Sequence, residues 1–137
     1  MIELLMSLAI AGIVLAVSPL TFGSFQEQHQ IEFAVQASAQ ALRRAQIQAQ
    51  AVANDQTWGV FFQNGSVTIF QGSSYAARNS AFDEDQQIAP EVTLGGVAEV
   101  VYSKLTGEPQ TTGVITFETL HETRTLTLLE KGALSYD

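Results

Sequence analysis

The chain has no cysteine, which excludes a disulfide framework and thiolate zinc sites. Basic residues are scarce: six Lys and Arg stand against fourteen Asp and Glu, for a net charge of −8. A balance of that sign repels nucleic-acid phosphates. No Lys or Arg precedes Arg43, so no positive flank orients the N-terminal segment by charge. Charge of either sign is missing from Leu4 to Gln26. There are two histidines. His29 lies in a polar helical segment and His121 in a turn, and neither has a metal-spaced partner. Both read as solvated surface residues. The chain has no phosphate-cradling glycine loop and no nucleophile elbow. With no catalytic constellation, no enzyme activity, cofactor or metal is expected. The acidic run Asp83-Glu84-Asp85 lacks the alternating ligands and central glycine of a calcium loop and reads as a solvated loop.

The uncharged N-terminal run is the dominant positive feature. Leu4 to Phe22 is almost wholly apolar and as a helix would span about 28 Å, close to one hydrocarbon core. Glu3 stands at its start and Pro19 late within it. A carboxylate at mid-membrane costs about 3 kcal/mol unless partnered. A proline leaves the carbonyl four residues earlier without its usual donor. Gly12 and Ala16, four apart, form a small-residue patch suited to close helix approach. A secretory signal peptide fits poorly, because the flank carries no positive charge and a cut after Ser18 would put Pro19 first. A plain single-pass anchor accounts for the length but gives Glu3 no role.

From Gln26 to Asn54 the sequence turns Gln- and Ala-rich, with no Gly or Pro, a composition of good helix formers. Ile31, Val35, Ser38, Leu42, Ala45, Ala49 and Val52 recur at spacings of four and three and predict a narrow stripe of mostly small residues facing a sheet. Asn54-Asp55 reads as the helix end. Joined to the first run, this makes one long, kinked helix of about 75 Å, apolar all round in its first half and amphipathic in its second. Two helices broken at Pro19 or at Phe22-Gly23-Ser24 are the alternative, and the continuous helix is favoured.

Beyond Asp55 the period falls to two. Thr57–Phe62 and Ser66–Gln71 read as strands joined by Asn64-Gly65, a strong hairpin signal. Gly72–Gln87 reads as an exposed loop. Strands are expected over Ile88–Leu94, Val97–Ser103, Gly113–Leu120, Arg124–Leu128 and Ala133–Tyr136. Turns fall at Leu105–Pro109, Leu120–Thr123 and Lys131-Gly132. Ile115, Phe117, Leu126 and Leu128 fall on inward faces, with threonines outward. The fold class is therefore α+β: a long N-terminal helix packed on six to eight antiparallel strands. Residues 1–25 form its membrane half, 26–54 its amphipathic half and 56–137 the β-region.

Ile2-Glu3-Leu4-Leu5 through Pro19 resembles the N-terminal helix of the type IV pilin superfamily, which includes the pseudopilins of type II secretion. The order of elements is similar to that of the H-type minor pseudopilins and related minor pilins, the GspH/FimT family. That wider likeness rests on Arg43-Arg44-Ala45, Trp58-Gly59-Val60, the Leu105–Pro109 turn, Gly113–Thr116, Arg124–Leu128 and Gly132. The resemblance implies a pilin-like fold and a structural subunit of a type IV pilus or secretion pseudopilus. It also implies an inner-membrane stage before assembly, with the globular domain outside the cytoplasm. Partners would be other pilin or pseudopilin subunits, an assembly platform and a prepilin peptidase that exposes an N-methylated residue. In the family the matching glutamate is fifth in the mature chain, so a leader, its cleavage site and two mature residues are expected before Met1. The assembly residues would be Glu3, pairing with a neighbour's N-terminus, Gly12 and Ala16, packing against it, and Pro19, part of a flexible joint from Gly12. A membrane-tethered binding module that never polymerises is one alternative. A DNA-uptake minor pilin is another, though Arg124 and Lys131 are isolated among acids and Arg43-Arg44 reads as a surface pair.

Overall fold

In the computed structural model, residues 1–15 and 25–137 are described in full. The chain is α+β. One helix, α1 (Ile2–Gln50), is followed by eight strands: β1 (Trp58–Gln63), β2 (Ser66–Gln71), β3 (Glu84–Gln87), β4 (Thr93–Gly96), β5 (Glu99–Tyr102), β6 (Gly113–Glu118), β7 (Thr123–Leu128) and β8 (Leu134–Tyr136). The expected kink at Pro19 lies outside the described residues.

The strands form two antiparallel four-stranded sheets, ordered β3-β2-β1-β5 and β4-β6-β7-β8. The C-terminal part of α1 packs against β1, β2 and β5 of the first sheet and against β6 and β7 of the second. Its buried residues are Ile31, Ala34, Val35, Ala37, Ser38, Ala39, Ala41, Leu42, Ala45 and Ala49. The face is therefore wider than the stripe the sequence suggests, because two sheets rather than one close on it. Alanine and serine dominate, so both sheets approach the helix backbone closely. Core residues come from both: Val60, Val67, Ile69 and Val100 from the first, and Ile115, Phe117, Leu126 and Leu128 from the second. The inward placement of the last four follows the predicted alternation.

The glutamines of α1 are not all solvated. Gln46 Nε2 donates to the carbonyls of Gly107 and Lys131, both at 3.0 Å, and Gln50 Nε2 donates to Thr106 O at 3.3 Å. Two turns from different parts of the β-region are thereby stapled to one helix.

Three expectations need correction. The helix stops at Gln50, not at Asn54-Asp55. Val52 takes φ 51°, and Asn54 and Asp55 follow at 55° and 56°, a left-handed break that ends the helical ladder. Val52 accordingly leaves the stripe and is half-buried. Gly72–Gln87 is not wholly loop: its end is β3, which pairs with β2 from Ser66↔Gln87 to Ile69↔Glu84. Acidic and Gln residues have low strand propensity, and an edge position overrides it here. The strand expected over Ile88–Leu94 starts only at Thr93, because Pro90 cannot donate to a ladder; Ile88 and Val92 are instead buried as turn residues.

The two central strands of the first sheet, β1 and β2, are largely buried on both faces. Gly59, in β1, lies across from Phe70 on one side and Val101 on the other. A Cβ at Gly59 would sit 2.5 Å from the Phe70 ring and 2.7 Å from the Val100 carbonyl oxygen. The segment after β2 covers that face. Tyr75 stacks on Phe61 with centroids 3.9 Å apart and planes 9° from parallel, and meets Phe70 edge-on at 5.7 Å. The Arg78 guanidinium lies 3.7 Å from the Tyr75 centroid and bonds Asp83 at 2.7 Å. That hydrogen bond raises the pKa of Arg78 above its ordinary value.

Candidate assembly site

The described start of α1 is an unshielded apolar arm. Every residue from Met1 to Leu15 is exposed. Ile2, Leu4, Leu5, Met6, Leu8, Ile10, Ile13, Val14 and Leu15 keep between 62% and 74% of their surface accessible. Elsewhere the exposed large apolar residues, such as Phe33, Ile47, Leu105 and Leu120, are scattered singly over a domain with a buried core, whereas in the arm they are contiguous. Exposed apolar surface of this extent marks an interaction site.

Glu3 sits near the tip. Its backbone carbonyl accepts a 2.8 Å hydrogen bond from Ser7 Oγ, which turns that hydroxyl inward along the helix. Among the described residues its carboxylate forms no ion pair. Gly12 faces open space, and a Cβ built there meets nothing within 4 Å. Among the described residues no contact therefore calls for glycine at that position. Glu3 and Gly12 are not brought together: about 13 Å and half a turn separate them on the helix. Ala16 and Pro19 lie outside the described residues.

Among the described residues, no helix is long and apolar enough to cross a membrane. The apolar piece described, 2–15, spans about 21 Å, short of a roughly 30 Å hydrocarbon core. The remainder of the span read from the sequence falls in 16–24.

At the root of the arm Phe25 is exposed, and Glu27 binds the turn between β6 and β7. His121 Nδ1 lies 2.8 Å from Glu27 Oε2. Beside it Leu120 is 91% exposed. Sequence reasoning missed this pair, because nothing local in either segment signals a contact across 94 positions. His29 is exposed on the helix.

The acidic triplet does not converge. Asp83 bonds Arg78, Glu84 bonds Arg44 at 2.9 Å, and Asp85 accepts from Thr68 Oγ1 at 2.6 Å. A strand sends successive side chains to opposite faces, which disperses the three carboxylates. Among the described residues no cluster of three or more His, Cys, Asp or Glu could hold a metal ion.

Four of the six cationic side chains are paired with carboxylates: Arg44, Arg78, Lys104 and Arg124. That leaves Arg43 on the helix and Lys131 in the turn before β8, too few for a phosphate-tracking surface.

No family model matches this chain, and no curated protein and no solved structure is significantly similar to it.

Proposed function

We propose that this chain is a pilin-like structural subunit, a minor pilin or pseudopilin, that assembles into a filament through its apolar N-terminal helix. The observation that carries the reading is the arm from Ile2 to Leu15, exposed throughout beside a fully closed core. Such a surface in water is unfavourable by roughly 25 cal/mol per Å² of apolar area, so it requires lipid or other helices around it. Before assembly the helix lies in the inner membrane in a single pass, with the domain outside the cytoplasm. It then moves into a bundle of like helices.

That transfer exchanges one apolar surrounding for another and yields little hydrophobic gain. Close packing and polar pairing must therefore contribute. The open face at Gly12 admits a neighbouring backbone, and Ala16 extends the same patch. Glu3 takes the ammonium of a neighbour's N-terminus, and the pairing relieves a charge that is costly in a dry bundle. Pro19 belongs to the joint between arm and domain. The paired cations and the charge of −8 weigh against a DNA-uptake role.

The test uses the absence of cysteine. Leu8→Cys places a single thiol on the arm, and oxidation in intact cells traps neighbours whose arms touch. Each chain then carries one thiol and can form one disulfide, so a crosslinked dimer, lost on adding Glu3→Ala, is expected. Monomer alone would overturn assembly and leave a tethered module. A dimer yield unchanged by Glu3→Ala would remove the glutamate's role.

A further inference from the structure

A cleft of about 490 Å³ opens at the end of α1 opposite the arm. Asn54 and Gln56 line it from the segment leaving the helix, Gln71 from the end of β2, and Asn79 and Phe82 from the loop after β2. Its size falls within the range of about 300–1,000 Å³ common for small-molecule sites. No charged side chain lines it among the described residues, although the chain carries a net charge of −8.

The charges nearby are engaged elsewhere. Asp55 pairs with Lys104 at 2.9 Å, and Arg78 is committed to Asp83 and the Tyr75 ring. What remains is four amides and one aromatic ring. Each amide offers two donors and an acceptor, and the Phe82 ring is 42% exposed.

Gln71 is the informative residue. It is only 3% exposed and stands opposite Trp58 in the ladder. Among the described residues its side chain makes no hydrogen bond within the chain, yet neither polar atom is sealed from solvent. Its amide is thus a buried polar group whose outlet is the cleft.

The walls are held in place beforehand. Asn79 N–H donates to Gln71 O at 2.9 Å, and Thr57 Oγ1 donates to Gly72 O at 2.7 Å. The Phe61–Tyr75–Arg78 stack fixes the loop that carries Asn79 and Phe82. Preorganisation of this kind lowers the cost of binding. Asn54 takes its place on the rim at φ 55°, a strained conformation of the kind that gathers at ligand sites.

We propose that this cleft binds a short, uncharged saccharide, with the amides pairing to its hydroxyls and Phe82 covering an apolar ring face. An extended peptide fits less well. At Gln71 one edge of β2 is taken by β1, and on the other, beyond the β3 ladder that ends at Ile69, the Gln71 carbonyl already accepts from Asn79 N–H, which leaves little strand edge for a peptide to pair with.

The test is a titration of the isotope-labelled full chain, in a detergent without a sugar headgroup, with maltose and with N,N′-diacetylchitobiose. Backbone and side-chain amide resonances are followed. Saturable shifts at Asn54, Gln71 and Asn79 with at least one disaccharide are expected, with Kd on the order of 1 mM. Phe82→Ala and Asn79→Ala alter exposed positions, and each should weaken binding about tenfold. Phe82→Ala should leave the unfolding midpoint in place, whereas Asn79→Ala also removes the cap bond its side chain accepts from Ala81 N–H. No shift with either sugar at about 50 mM would overturn the proposal. So would binding that neither substitution weakens.

Discussion

Gly59→Ala isolates a single packing relation in the first sheet. Its added Cβ would meet the Phe70 ring at 2.5 Å and the Val100 carbonyl oxygen at 2.7 Å, where ordinary contacts are about 3.5–4.0 Å. The ring is fully buried and Tyr75 meets it edge-on, so it cannot swing aside freely. The carbonyl belongs to the ladder partner of β1 and moves only if that pairing loosens. Overpacking of this kind costs about 1–3 kcal/mol. Restricting the unfolded chain returns about 0.4–1 kcal/mol. Taking the upper end for two simultaneous clashes, the net loss is about 2 kcal/mol. In urea, with a slope of about 1.3 kcal/mol/M, the midpoint should fall by about 1.5 M. Trp58 reports this directly: it is the only tryptophan and is buried in the core. Gly12→Ala is the matched control, because its Cβ meets nothing within 4 Å, and its midpoint should not fall. The double variant Gly59→Ala/Phe70→Leu should be less damaged than the sum of its parts, since the two sites share the clash. A Gly59→Ala midpoint within about 0.3 M of the parent at unchanged slope would refute the reasoning.

Two further outcomes follow from other contacts. Tyr75→Ala removes both the stack on Phe61 and the ring beneath Arg78. These are worth about 1–2 kcal/mol together, so trypsin cleavage after Arg78 in the folded chain should rise about tenfold; no change would mean that other contacts hold the loop. Burial pushes the Tyr102 phenol well above its ordinary pKa of 10.0. A folded-state value above the unfolded one favours the protonated form on folding. That stability is fully present below pH 10 and is lost as pH rises through the folded value. Urea midpoints of the parent and Tyr102→Phe, compared at about pH 8 and about pH 11, should show a steeper fall for the parent. Parallel falls would show that Tyr102 does not control the alkaline limb.

The sequence made the strongly periodic elements legible. The stripe from Ile31 to Ala49 follows the helical period, and Ile115, Phe117, Leu126 and Leu128 follow the strand period, because each lines one buried face. Where both faces are buried, as in β2, alternation disappears and only the Asn64-Gly65 turn betrays the hairpin. The strand β3 was illegible for the opposite reason. Its Glu-Asp-Gln-Gln composition reads as loop, and its pairing comes from Thr68, Arg44 and the neighbouring ladder. The division into two sheets depends on which strands meet, a non-local property that period alone does not encode. At the assembly site Glu3 and Gly12 stand out by their neighbours in sequence. The Glu27–His121 contact and the cleft around Gln71 arise only when distant segments meet.

The short segment from Phe25 to Ile31 separates two regimes on one helix. Phe25 is exposed and Ile31 is fully buried; between them stand Gln26, Glu27, Gln28, His29 and Gln30. In the proposed subunit this polar collar sets how deep the arm can sit in lipid. Drawing Glu27 inward would break its bond to His121 and bring a carboxylate toward hydrocarbon, at up to about 3 kcal/mol if it reached the centre. Drawing the arm outward would wet Leu15 and the residues before it, at about 25 cal/mol per Å². The two penalties oppose each other, so together they define the depth. The Glu27–His121 contact also fixes the β6–β7 turn, with Leu120 at its tip, beside the root of the arm. The helix and the β6–β7 turn thus meet through Glu27 and His121 at the root of the arm, one of several contacts between α1 and the β-region.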